Sequence, residues 1–330
     1  MASFPQVDVT IVGGGPVGLF GSFYAGLRGM SVRIIDSLPE LGGQLTALYP
    51  EKYVYDMPGF PKVLAKDLAA ELIAQGTQFE PELQLGETAE ILEGSVGDFV
   101  ITTASGKVLP TKTIIIAAGN GSFSPTKMGV EREEEFAAQE CVFYGVRQRE
   151  VFRGKRLAIV GGGDSAFDWA LSLHEVAESV TIVHRRDQFR AHEDTVDKVR
   201  ALDVEFKLWS VVKELQGNGK LSGVLLENSQ SKETEELPVD AVVVNIGFKS
   251  SLGPLKDWGL VIEKNQLVVD HHYRTNIEGI FSVGDVCSFP GKLKLIATGV
   301  GEAASAVCQA KQMIDPTAKL FPGHSSDRDL

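Results

Sequence analysis

Residues 7–18 read VDVTIVGGGPVG, and this stretch decides the fold. Val7–Val12 alternates into an apolar run of strand length that breaks at Gly13-Gly14-Gly15, and an apolar segment of helical length follows to about Leu27. Residues 31–36, SVRIID, read as a second strand, so the order is strand, glycine-rich turn, helix, strand. Gly13, Gly15 and Gly18 stand in the G-x-G-x-x-G spacing. In such a unit the first glycine permits a tight turn and the second lets backbone approach a pyrophosphate. The third lets the helix pack close to the sheet. The helix N-terminus then offers free N–H groups and a favourable dipole to the anion.

The pattern returns further on. Arg156–Val160 reads as a strand, Gly161-Gly162-Gly163-Asp164-Ser165-Ala166 as G-x-G-x-x-A, and Val180–Val183 as the next strand. One such turn alone also serves purely structural ends. Two of them, each between a strand and a helix, point to an α/β chain with two Rossmann-like, three-layer dinucleotide-binding domains. The ends of the second strands differ. Asp36 lies 23 residues after Gly13, where an acidic side chain accepts hydrogen bonds from an adenosine ribose. The matching position after Gly161 is His184, followed by Arg185 and Arg186. No carboxylate stands there to repel a 2′-phosphate, and two guanidiniums are available to pair with one; a solvated basic turn is the alternative. The first site is therefore read as taking FAD. The second, with Gly161, Gly163, Asp164 and Ser165 at its turn and helix start, is read as taking NADPH.

The chain's 330 residues allow two domains of ordinary size, and 43% hydrophobic against 23% charged residues suits a globular protein. A formal net charge of −12 disfavours nucleic acid and anionic membrane as partners, because the long-range field repels phosphate. Apolar runs such as Ile114–Ala118 are too short to span a bilayer, and the N-terminus lacks the basic region of a signal peptide. Cys141, Cys287 and Cys308 are scattered with no CxxC, which fits a reducing cytoplasm and excludes the usual dithiol and zinc spacings. His174, His192, His271 and His272 show no repeated ligand spacing and read as surface or packing residues, so no metal is expected. Residues 113–119, 241–247 and 279–285 read as further strands, residues after 297 as an Ala-rich helix to about Met313, and 321–330 as a frayed polar tail.

Together these segments resemble the thioredoxin-reductase-like branch of two-dinucleotide flavoproteins, over nearly the whole chain. The resemblance is carried by GGGPVG (13–18), Gly42-Gly43-Gln44-Leu45-Thr46, Pro58-Gly59-Phe60-Pro61, GGGDSA (161–166), HRRDQFRAHE (184–193) and TNIEGIFSVGD (275–285). It implies a discontinuous FAD domain, 1–118 and 248–330, with the NADPH domain, 119–247, inserted. It further implies Asp285 at the flavin ribityl chain, Asp36 at the adenosine ribose and Gln44 along the flavin, and it groups His184 and Arg190 with Arg185 and Arg186 at NADPH. Thioredoxin reductases carry a redox CxxC before the second glycine motif. Here residues 141–145 read CVFYG, so no dithiol relay operates in that position, and residues 42–49 hold no cysteine either.

Within the branch, the sequence is similar to the ferredoxin–NADP⁺ reductases of this type, through Tyr49 after GGQLTA and the C-terminal PGHSS (322–326). In that family two aromatic side chains, here Tyr49 and His324, sandwich the isoalloxazine ring. Ala89, Phe123 and Ser326 fall where the family contacts FAD, and the helix beginning near Thr298 faces flavin N1/O2. Without the resemblance, Tyr49 reads as a core aromatic and His324 as a tail residue. The resemblance implies hydride transfer from NADPH to flavin N5, one-electron release to ferredoxin, no side-chain acid or base, and a homodimer. Flavodoxin, a quinone or a small molecule are alternative acceptors; a noncatalytic redox sensor is the reading from another class. Lys292 and Lys294 are candidates to meet an acidic ferredoxin, with a solvated turn as the alternative.

Overall fold

A computed structural model describes residues 4–324, with the side chains of residues 122–124 outside the description. The chain divides into two compact units, Met1–Phe123 with Ser250–Leu330, and Ser124–Lys249. These boundaries fall a few residues beyond those the resemblance implied. The two crossovers are short strands, Ser122–Pro125 and Phe248–Ser251, which pair with each other.

The first unit is built on β1 (Val7–Val12), α1 (Pro16–Leu27) and β2 (Val32–Asp36). Its sheet runs Glu82–Leu85, β2, β1, Val108–Ile116, Phe99–Thr103, Ala89–Glu93. β1 has parallel neighbours on both sides, with Val12 opposite Ile35 and Ile116. β1 and β2 are buried along almost their whole length, so Thr10, Arg33 and Asp36 are buried with the apolar residues around them. The strand Val108–Ile116 serves two partners: Val108–Thr111 pairs antiparallel with Phe99–Thr102, and Ile114–Ile116 pairs parallel with Ile280–Ser282. Helices α1, Ala65–Gly76 and Ile296–Ile314 close one face through Leu19, Leu68, Leu72, Ala303 and Val307. Phe99, Ile101, Leu255 and Trp258 close the other.

Two sequence expectations change here. The strand expected over 113–119 is Val108–Ile116 and stops before Ala117, and that expected over 279–285 is extended only at Ile280–Ser282. Gly284–Val286 is a 3₁₀ turn with Gly284 at φ +76°, so Asp285 is presented by a turn, not by a strand.

The second unit repeats the plan with a five-stranded parallel sheet, ordered Val142–Phe143, Ala241–Asn245, Arg156–Gly161, Ser179–His184, Val204–Leu208. The Asp164–His174 helix packs on one face through Ala166, Phe167, Ala170 and Leu173. A three-stranded antiparallel sheet, Ser210–Gly217, Leu221–Asn228 and Thr234–Leu237, covers the other through Val212, Leu215, Val224 and Leu226.

Candidate functional site

In the first unit, the C-terminal ends of the parallel strands open into a cavity of about 870 Å³, a size suited to a cofactor and in the place where α/β sheets bind ligands. The ladder continues to its rim: Gly13 N–H donates to Ile35 O and Ala117 N–H to Val12 O, both at 2.8 Å. The three glycines of the motif differ in what they face. A Cβ on Gly13, at φ +115°, would lie 2.4 Å from Ala117 O, and one on Gly18 would lie 1.9 Å from Gly13 O. On Gly15 its nearest neighbour would be Gly43 Cα at 3.8 Å. Gly13 and Gly18 are therefore demanded by the protein's own backbone, while Gly15 is bare toward the cavity. Gly15 caps α1 without a side-chain bond, and Gly15, Pro16 and Val17 line the cavity, so the start of the helix faces it. That arrangement suits a pyrophosphate.

Two carboxylates face the same space. Asp36, 8% exposed, accepts from Gly14 N–H at 2.5 Å and Leu38 N–H at 2.8 Å. Burial pushes its pKa above the ordinary value, against the effect of those two bonds. Asp285 is also raised by burial, offset by Lys292 and Lys294, and among the described residues no hydrogen bond to its carboxylate oxygens is made by protein. Both can accept from sugar or polyol hydroxyls. Gln44, at the start of the short helix Gln44–Ala47, lines the cavity. So do Ala89 and Tyr49, the latter packed against the main core. Burial raises the Tyr49 phenol pKa, and Asp285 and Asp56 raise it further.

Some residues stand elsewhere. Leu295 and Ile296 line the cavity, whereas the Thr298 hydroxyl turns back to donate to Leu293 O at 2.9 Å and Leu295 O at 3.0 Å, fixing the helix start. Lys292 is not a docking cation, because its side chain is 6% exposed and paired with Glu302. His324 is exposed and stacks edge-on against Phe321 at 5.3 Å. The tail before it is held by Arg28, which donates to Lys319 O at 2.7 Å and Leu320 O at 3.0 Å. Ser326 and the side chain of Phe123 lie outside the described residues. Sequence reading missed Glu87, which lines the cavity. Ser105 donates to it at 2.8 Å and Lys107 pairs with it at 3.0 Å. Bonds from Ser105, then Lys107 and Thr103, hold its carboxyl down at about 2. No motif surrounds it that could have flagged it.

In the second unit the same glycine logic holds. A Cβ on Gly161 would lie 2.4 Å from Asn245 O, while Gly163 has nothing within 4 Å. The His184 ring lies against Gly162, where a Cβ would come within 2.3 Å of it. Its Nε2 is 3.1 Å from Gln188 O, so that nitrogen donates. Burial lowers the His184 pKa, against the bond to Gln188 O, and Arg185 and Arg186 lower it further. His184 thus supports the turn. Arg190 N–H donates to Gly162 O at 2.7 Å and His192 N–H to Asp164 Oδ1 at 2.9 Å, stapling residues 184–192 beside the motif. Arg185, Arg186 and Arg190 are exposed there, and none has an ion pair among the described residues. Ser165 is exposed in the first turn of the helix. No group of three or more His, Cys, Asp or Glu is placed to hold a metal among the described residues, and no described helix is long and apolar enough to cross a membrane.

Residues 7–310 match the pyridine nucleotide-disulphide oxidoreductase family, and the chain belongs to it, in the group that holds bacterial ferredoxin–NADP reductases. It is 49% identical over 321 residues to ferredoxin–NADP reductase 2 of Shouchella clausii, covering 97% of each chain. It is 47% identical over 327 residues to ferredoxin–NADP reductase of Thermus thermophilus, covering 98% of this chain and 97% of that one. Among solved structures, thioredoxin reductase of Lactococcus lactis in its FR conformation aligns with a TM-score of 0.77 at 29% identity, over 94% of this chain and 99% of the other. Thioredoxin reductase of T. acidophilum aligns with a TM-score of 0.77 at 26% identity, over 95% of this chain and 99% of the other.

Proposed function

We propose that this protein is an FAD-containing ferredoxin–NADP reductase, with FAD in the unit formed by residues 1–123 and 250–330 and NADPH in the unit 124–249. The observation that carries the reading is a contrast between two turns of like geometry. Asp36 ends the second strand at the first turn, while Arg185, Arg186 and Arg190, exposed and without an ion pair among the described residues, follow the second strand of the other unit. FAD, when bound, converts between an electron pair carried as hydride and single electrons. The protein's part is binding and orientation. Gly13, Gly15 and Gly18 with the start of α1 hold the FAD pyrophosphate, Asp36 accepts from the adenosine ribose, and Asp285 accepts from the ribityl chain. Gln44 and Tyr49 flank the isoalloxazine ring, Ala89 contacts FAD from the wall of the same cavity, and the helix start at Leu295–Ile296 turns its positive end toward the ring. Gly161, Gly163, Asp164 and Ser165 hold NADPH by its pyrophosphate, and the three arginines take its 2′-phosphate.

No side-chain acid or base is assigned, since neither hydride transfer nor outward electron transfer requires one. Ferredoxin is the acceptor by likeness to relatives that carry that name over almost their whole length. A homodimer in the cytoplasm is part of the same reading. Within such a dimer, exposed His324 is proposed to cover the ring system bound by the other subunit. The test is direct: the purified protein is yellow with one FAD per chain, and it oxidises NADPH with ferredoxin as acceptor. Absence of FAD overturns the cofactor reading. Turnover with a quinone or flavodoxin but none with ferredoxin overturns the acceptor.

A further inference from the structure

Behind the Gly284–Asp285 turn lies a charged pair that the reading above does not use. Lys292 and Glu302 are ion-paired with side chains only 6% and 4% exposed. Burying two charges carries a desolvation cost that their attraction often fails to return, so such a pair is a poor source of stability by itself. This one is wired to the cavity. Glu302 Oε2 accepts Gly284 N–H at 2.8 Å, immediately before Asp285. From the other side, Gln266 Nε2 donates to Asp285 O and Cys287 O, each at 3.1 Å. The turn is therefore clamped through its backbone, which leaves the Asp285 carboxylate free toward the cavity.

The pair also joins three pieces of chain. Glu302 stands on the helix Ile296–Ile314, whose first residue lines the cavity. Lys292 stands on the loop between turn and helix, its ammonium 5.6 Å from the Phe289 ring centroid. Its field reaches the site: Lys292 draws the Asp285 pKa down and Glu302 pushes it up.

We propose that Lys292 and Glu302 are positioning residues for the FAD site, which fix the Gly284–Asp285 turn against the helix start and keep the buried charge beneath the cavity balanced, so that the pair sets the reduction potential of bound FAD. The inference rests on the FAD reading above. Removing one charge leaves the other uncompensated in a poorly screened place. E302Q keeps an acceptor for Gly284 N–H but leaves a lone cation, which favours the more negative reduced cofactor and raises the potential. K292M leaves a lone anion and lowers it. The double variant K292M/E302Q carries neither charge and returns toward the parent value.

The experiment measures midpoint potentials of the FAD-loaded parent and the three variants, with FAD dissociation constants from titration of the apoproteins. A tenfold change in the ratio of affinities for reduced and oxidised FAD is expected in each single variant, about 30 mV for a two-electron couple. A purely structural role would weaken FAD retention in all three variants without opposite signs in the potential. Shifts of one sign, no shift, or a double variant that fails to recover overturns the inference. If K292M does not fold, E302Q against E302D decides: E302D keeps the charge, so it loosens FAD but leaves the potential in place, and equal potentials in the two overturn the proposal. A parent chain that takes up no FAD overturns the cofactor reading and the inference with it, whereas FAD uptake with unshifted potentials overturns the inference alone.

Discussion

Gly13, Gly15 and Gly18 belong to one motif but answer different demands, and single alanines separate them. In Gly18→Ala the new methyl would sit 1.9 Å from Gly13 O, an overlap with backbone that cannot rotate away. Forced overpacking of this kind costs about 1–3 kcal/mol, and a lowered urea midpoint of the apoprotein measures it. Gly15→Ala meets nothing closer than 3.8 Å, so its stability stays within about 0.5 kcal/mol of the parent while FAD affinity falls. Gly163→Ala behaves likewise toward NADPH. Equal destabilisation in Gly15→Ala and Gly18→Ala would show that the second glycine serves the fold and not the ligand. The arginines make a complementary case. Each charge-assisted bond to a 2′-phosphate is worth about 1.5–3 kcal/mol, and about 1.4 kcal/mol is tenfold in affinity. Arg185→Ala and Arg186→Ala should each raise the KM for NADPH at least tenfold by that measure and leave NADH nearly unchanged; matching losses for both cofactors would refute the assignment.

At the scale of elements, what the sequence revealed follows from what each element buries. β1 and its counterpart Arg156–Gly161 are buried and lead straight into the glycine turns, so they stand out in the sequence, and the strands that follow them are marked by their last residues, Asp36 and His184. Thr234–Leu237 is exposed at its first three positions and buried only at Leu237; it is a strand through backbone pairing with Val224–Glu227, which leaves no apolar pattern to read. The sequence offers Lys292 as a docking cation or a solvated turn residue, because its partner, Glu302, lies on the helix that follows, at a spacing no motif records. The resemblance puts Thr298 at the flavin, and its hydroxyl is used by the helix start, donating to Leu293 O and Leu295 O. The turn at Asp285 leads into Cys287, whose thiol is pushed up to about 12, mainly by burial. The folded pKa lies above the ordinary 9.0, so the thiol's contribution is intact below pH 9 and is lost as pH rises toward 12. Stability measured by urea unfolding should therefore fall between those values. A Cys287→Ala variant should show a shallower fall, and an identical slope would mean that this thiol does not take part.

For the whole molecule, the open question is how electrons leave it. The family is named for disulphides, and the fold is that of thioredoxin reductases, yet all three cysteines of this chain are free. Cys287 and Cys308 are buried, and Cys308 Sγ is engaged by Arg28 at 3.6 Å. Cys141 alone is half-buried, its thiol directed to Gln139 O at 3.5 Å, with no second sulfur bonded to it. A thiol reacts as its thiolate and only where a reagent can reach it. An alkylating agent should therefore label Cys141 in the native protein well before Cys287, whose raised pKa keeps it protonated. If electrons pass from the cofactor to the carrier without a thiol relay, neither that labelling nor Cys141→Ser should slow turnover. A barrier left unchanged to within about 0.4 kcal/mol keeps the rate within about twofold. NADPH-to-ferredoxin activity in the labelled protein and in Cys141→Ser should remain within that margin. A folded, FAD-loaded Cys141→Ser protein that reduces FAD with NADPH but no longer passes electrons to ferredoxin would place a sulfur on the path, and the direct route would have to be given up.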